Sequence, residues 1–161
     1  MAQALRVYSV DTSALIDGLE RFYRQDSFPG LWEEIDHLID AGRFLMSDEV
    51  LDEAHKKDLV ARAWCDARDT ARFVVATDAA VIQEVQAIVA RYRNMLKKGR
   101  NRADAFVIAV ARLRSATVVT GEGSDGNERQ PKIPFICKSL NIECLSLPDV
   151  VSLEGWRFRT A

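Results

Sequence analysis

Histidine and cysteine are scarce: two of the first and three of the second in a chain of 161 residues. His37 and His55 are far apart and no C-x-x-C occurs, so a zinc site of the usual Cys/His kind is poorly supplied. Cys65, Cys137 and Cys144 are odd in number and widely spaced, which argues against a disulfide framework and for reduced thiols in a cytoplasmic setting, packed in or near the core. No apolar run approaches the length of a membrane span, and the opening MAQALRVYSVD lacks the basic, apolar and small-residue succession of a signal peptide. An excess of one charge is missing too. With 22 Lys and Arg against 24 Asp and Glu, the net charge near −2 gives no general attraction to nucleic acid or to an anionic membrane. Any polyanion must be bound by local clustering.

What is present is the profile of one compact domain over residues 1–161, 48% hydrophobic and 29% charged, with no internal repeat. LRVYSVD (Leu5 to Asp11) is a short β-branched run that predicts a buried, central strand. TSALIDGLERFY then follows helical spacing, and Pro29 opens a second helix that Gly42 ends. RFLMS predicts the next strand, with Ser47 capping the helix DEVLDEAHKK. Asp58 to Met95 predicts helical hairpins, with Asp78 as a cap. The remainder predicts the helix NRADAFVIAVARLRS, the strand ATVVT, the short helix PFICKSLN and the strand IECLSL. Strands alternating with helices imply an α/β fold: a three-layer, Rossmann-like α/β/α sandwich around a mostly parallel sheet of four or five strands. In such sheets ligands gather at the carboxyl ends of the strands, so the polar residues just after each strand are the ones to weigh.

Those residues are acids. Asp11 closes the first strand, where a helix cap is the ordinary role. Glu53 shares a helix face with Val50 and Ala54, where a surface acid at the edge of the apolar stripe is the ordinary role. Asp104 opens a helix so uniformly apolar that it must be buried nearly all round, where an acid bonding back to a cap at Asn101 is the ordinary role. Glu122 and Asp125 follow the third predicted strand as turn residues. Each has a structural explanation alone; together, carboxylates at successive strand ends converge on one cleft, where like charges are unfavourable unless a cation offsets them. Mg²⁺ or Mn²⁺, which take oxygen ligands, are the expected ions.

TVVTGEGSDGN offers a competing reading, since Gly121, Gly123 and Gly126 match the G-x-G-x-x-G of a dinucleotide-binding turn, with Glu143 near the place of a ribose-binding acid. That reading needs a helix opening directly at the glycines. Asn127 to Gln130 and then Pro131 and Pro134 predict a loop instead. A haloacid-dehalogenase-like phosphatase would need an acid two positions after Asp11, where Ser13 stands.

YSVDTSALID, SDEVLDEAHK, NRADAFVIAVA and VVTGE resemble, in order, the four acidic motifs of the PIN domain family, whose relatives include VapC-type toxin ribonucleases. The resemblance spans nearly the whole chain and implies the PIN-like fold. It implies Asp11, Glu53, Asp104 and Glu122 as catalytic and metal-binding residues, with Ser13 and Thr120 in support. The fourth motif departs from the family's T-x-D: Thr120 and Glu122 form T-x-E, followed by the insertion GSDGNERQPKIP, so its ligand is Glu122, Asp125 or neither. The implied activity is metal-dependent hydrolysis of RNA, in some relatives as a toxin held by an antitoxin.

RYRNMLKKGRNR supplies a landing site for RNA, or else a solvated helix end: Arg91, Arg93, Lys97, Lys98, Arg100 and Arg102 carry six charges with no acid among them. LWEEIDHL and VIQEVQAIV are amphipathic, which suits core packing, a homodimer or an antitoxin groove. A non-catalytic RNA- or protein-binding module on the same fold is the alternative function.

Overall fold

The structure, a computed structural model, describes residues 4–96 and 102–159. Five short strands form one parallel sheet: β1 (Tyr8–Val10), β2 (Phe44–Ser47), β3 (Val74–Val75), β4 (Thr117–Val119) and β5 (Cys144–Leu145). Their order is β3-β2-β1-β4-β5, with Tyr8 opposite both Phe44 and Thr117. β1 is therefore central, as its wholly buried Tyr8, Ser9 and Val10 require. The helices are α1 (Thr12–Asp17), α2 (Pro29–Asp40), α3 (Asp48–Lys57), α4 (Leu59–Asp66), α5 (Ala79–Arg91), α6 (Arg102–Arg114), α7 (Ile133–Ser139) and α8 (Leu147–Glu154). They cover both faces of the sheet in a three-layer α/β/α arrangement.

Local chemistry sets most boundaries. Pro29 stands at the first position of α2, and Gly42 just beyond its end takes φ +70°, a conformation that costs a side chain but not glycine. The Ser47 hydroxyl accepts from Glu49 N at 3.1 Å and caps α3, while Asp78 caps α5 by accepting from Val81 N at 2.9 Å. α6 lies across β1, β2 and β4 and beside α3 and α5. Its alanines and valines are buried, and their small side chains let the helix backbone approach the sheet closely enough for Ser9 Oγ to donate to Val107 O at 2.8 Å. Elsewhere the core is aromatic, with the Trp32, Trp64, Phe44 and Phe73 rings at 5.7 to 6.0 Å between neighbouring centroids.

Three expectations change. The first strand pairs only over Tyr8–Val10, and Leu5 is exposed. Asp58 to Met95 is not all helix: β3 sits inside it as an edge strand, held where Met46 N donates to Phe73 O at 2.9 Å. An apolar run as short as FVVA cannot be told from a helix segment by periodicity, and here the buried Phe73 and the free edge of β2 decide it. α8 was not foreseen, although Ser146 and Asp149 form a reciprocal capping box and Gly155 ends the helix at φ +72°.

Candidate active site at the carboxyl ends of the strands

Strand order reverses between β1 and β4, which is where a parallel sheet leaves a crevice beyond its carboxyl ends. Asp11 stands there, 4% exposed, its backbone tied to β4 by Asp11 N donating to Val119 O at 2.8 Å. It occupies the cap position of α1 without capping it: no side-chain cap bond forms. The carboxylate turns to accept from Ser13 Oγ at 2.5 Å and from Thr120 Oγ1 at 3.1 Å, both on Oδ2. Each hydroxyl accepts in turn from a backbone amide of the loop after β4, Ser13 from Gly121 N at 2.9 Å and Thr120 from Glu122 N at 3.2 Å. Both hydroxyl protons are thus committed to Asp11, and the network fixes its orientation. Gly121 packs closely here: a Cβ there would lie 2.5 Å from Asp17 Oδ2 and 3.0 Å from Ser13 O, so a larger residue displaces the Asp17 side chain and crowds the Ser13 carbonyl.

Asp104 reaches the same crevice from the first turn of α6, 8% exposed. Burial, and after it the charges of Asp11, Glu122 and Glu53, push its pKa up to about 8, against a smaller opposing pull from Lys57. No described residue donates a hydrogen bond to it. Burial also raises Asp11 despite its two hydroxyl donors, and raises Glu122, whose Oε2 accepts from Ile133 N at 2.9 Å. Glu53 extends from α3 with its side chain 19% exposed and Oε1 3.1 Å from Lys57 Nζ. These carboxylates line one hollow of about 300 Å³. The neighbouring acid Asp48 is used differently, accepting from Thr77 N at 2.7 Å at the ends of β2 and β3.

Two further charged lining residues were missed, Asp17 and Lys57. Helical spacing offered a signal for each, since Asp17 follows Ser13 and Lys57 follows Glu53 by four positions on one helix face.

The structure does not bring every sequence candidate to this hollow. Asp125 is exposed and lies against a different depression, with Lys138 and Cys144. The reason is the turn after Glu122: Gly126 takes φ +73° and bridges to Pro131, which carries Asp125 away. Of the two acids left open by the fourth motif, Glu122 is the one in the crevice. The glycines open no helix either, because α7 starts only at Ile133, and Glu143 is held by Arg6 at 2.7 Å. His55 is half-buried, its Nε2 3.0 Å from Asp66 Oδ1. Arg91 and Arg93 are exposed, while Arg102 lies 3.5 Å from Glu49; Lys97, Lys98 and Arg100, like Asn101, fall outside the described residues. The faces of α2 and α5 that suggested a partner groove contribute Leu31, Trp32, Ile35, Val81 and Ile88 to the buried interior.

All the converging donors are hard oxygens, the kind that divalent cations such as Mg²⁺ take. Among the described residues no three Asp, Glu, His or Cys side chains stand close enough to form a ready-made cage. The carboxylates are spread round the wall, as mutually repelling charges are unless a cation draws them together. Residues 8–158 match a family described as a domain of unknown function, DUF4411. The chain belongs to that family. No curated protein matches the sequence. Among the described residues no helix is long and apolar enough to cross a membrane.

Proposed function

We propose that this protein is a PIN-type, metal-dependent ribonuclease that hydrolyses RNA phosphodiester bonds. The observation that carries the proposal is the meeting of Asp11, Glu53, Asp104 and Glu122 in one hollow at the point where strand order reverses. These four would hold Mg²⁺ or Mn²⁺, and their fit is chemical: an all-oxygen set, with a carboxyl at Asp104 that burial, and after it the neighbouring acids, hold up to about 8 and that a positive charge would bring down. When bound, the ion supplies positive charge that lowers the pKa of an attacking water and offsets charge on the phosphate oxygens.

The chain's own residues do the positioning. Ser13 and Thr120 lock the rotamer of Asp11, and the Ile133 amide locks Glu122. Lys57 is held by Glu53 at the rim, where its ammonium can meet a phosphate oxygen once Glu53 is otherwise engaged.

Asp104→Asn is expected to abolish Mn²⁺-dependent RNA cleavage, by at least about a hundred-fold, with an unchanged far-UV circular dichroism spectrum; full activity in the variant refutes the assignment. The resemblance extends the proposal to the toxin of a toxin–antitoxin pair, for which growth arrest on expression, relieved by the same substitution, is the expected outcome. A second reading draws on the spread of the carboxylates round the wall: a non-catalytic module that binds RNA or protein. RNA binding with no cutting at any Mg²⁺ or Mn²⁺ concentration would favour it.

A further inference from the structure

A second hollow, of about 630 Å³, opens where α5 ends. Arg91, Tyr92, Arg93 and Asn94 line it from that terminus and the 3₁₀ turn that follows, and Phe135 and Ser139 from α7. Two bonds between distant segments fix its walls. The hydroxyls of Tyr92 and Ser139 are hydrogen-bonded at 2.5 Å, and Asn94 Nδ2 donates to Glu128 O at 3.1 Å. Tyr92 and Phe135 pack their inner sides against the core, so both rings are held in place. The Arg91 guanidinium lies over the Tyr92 ring, 5.4 Å from its centroid. Neither Arg91 nor Arg93 forms an ion pair among the described residues, and of those residues Glu128 is the one acid at the rim.

Planar guanidiniums that lack a carboxylate partner, set beside fixed aromatic rings, recognise a phosphate and a ring system together. The loop between β4 and α7 links this place to the acidic hollow: Glu122 lines the first, and Glu128, six residues on, lines the second. We infer that this second hollow is a subsite for single-stranded RNA, holding a phosphate on Arg91 and Arg93 and a base against Phe135 next to the Arg91–Tyr92 stack, on the strand whose bond is cut in the acidic hollow. The inference rests on the ribonuclease reading for the identity of the strand.

The test is fluorescence anisotropy with a short labelled oligouridylate in EDTA, titrated over a range of salt. Arg91→Ala/Arg93→Ala is expected to weaken binding at least about ten-fold and to flatten the plot of log affinity against log salt by about 0.7, for the one phosphate that is no longer neutralised. Arg91→Lys/Arg93→Lys keeps the slope and forfeits part of the affinity. Unchanged affinity and slope in the alanine variant, with an unchanged melting temperature, overturns the subsite. Uridine monophosphate binding more tightly than the oligomer also overturns it and assigns the hollow to a free nucleotide. Cleavage separates the two proposals: a wild type that binds through these arginines yet never cuts RNA with Mn²⁺ sinks the nuclease and leaves the subsite standing. A cutting wild type whose alanine variant keeps the same KM does the reverse.

Discussion

The two ends of the sheet handle charge in opposite ways. At the amino ends of the strands the acids have basic and hydroxyl partners: Glu143 accepts from Arg6 at 2.7 Å and from Thr117 Oγ1 at 2.9 Å, and Glu154 pairs with Arg43 and accepts from the Tyr8 hydroxyl at 2.5 Å. The result is a depressed pKa at Glu143, set by the Arg6 bond, and a Tyr8 hydroxyl pushed up by burial and by Glu154. At the carboxyl ends Asp11, Asp104 and Glu122 are all raised, burial being the largest cause at each. One end is closed by the chain's own residues and holds α8 against the sheet. At the other, the crevice between β1 and β4 keeps acids that burial and like charge disfavour when ionised, as the proposed metal site requires.

The largest effect expected is at Asp104. An acid with a raised pKa in the folded state is easiest to accommodate when protonated, so stability falls as pH rises from the usual carboxylate range toward about 8. Asp104→Asn removes that fall. In EDTA its free energy of unfolding is expected to exceed the wild type's by a margin that grows across this window and levels off above it, reaching a few kcal/mol in order of magnitude. A constant margin at all pH values would remove the contrast between the two ends.

Glu154→Ala attacks the closed end. It leaves the Arg43 charge, with a side chain 15% exposed, without its acid, and is expected to cost about 3 kcal/mol in urea unfolding. RNA cleavage per folded molecule is expected to stay the same.

Ser13→Ala tests how finely the open end is organised. It removes a donor to Asp11 and the acceptor of the Gly121 amide, and is expected to cost about 1 kcal/mol in stability and about ten-fold or more in kcat, with KM little changed. Arg6→Ala gives the smallest effect. Its guanidinium pairs with a Glu143 side chain that is 45% exposed, so its melting temperature is expected to stay near the wild type's, with any loss fading as pH falls through the carboxylate range.

Asp11, Glu53 and Asp104 were legible in the sequence because each sits at a fixed offset from a strong local signal: the end of an apolar β-run, a capped helix after the second strand, and the start of a helix with no polar face. Asp17 and Lys57 were not singled out, since an acid and a lysine on amphipathic helices are ordinary surface residues until the facing wall is known. β3 escaped because two paired residues carry no periodicity, and its strand character comes from the neighbouring edge of β2. Glu122 and Asp125 were indistinguishable because they are three residues apart in one polar loop, and a positive φ at Gly126 separates them in space.

The amino-acid sequence by itself determined the alternation of strands and helices, the caps at Ser47 and Asp78, and the burial of α6, because each depends on neighbours within a turn or two of the chain. Tertiary structure alone decided the order β3-β2-β1-β4-β5, and with it the meeting of Asp11 with Thr120 and Glu122 across more than a hundred residues of chain. Strand order is set by which distant apolar faces bury each other best, and that competition leaves no mark in any short stretch of residues.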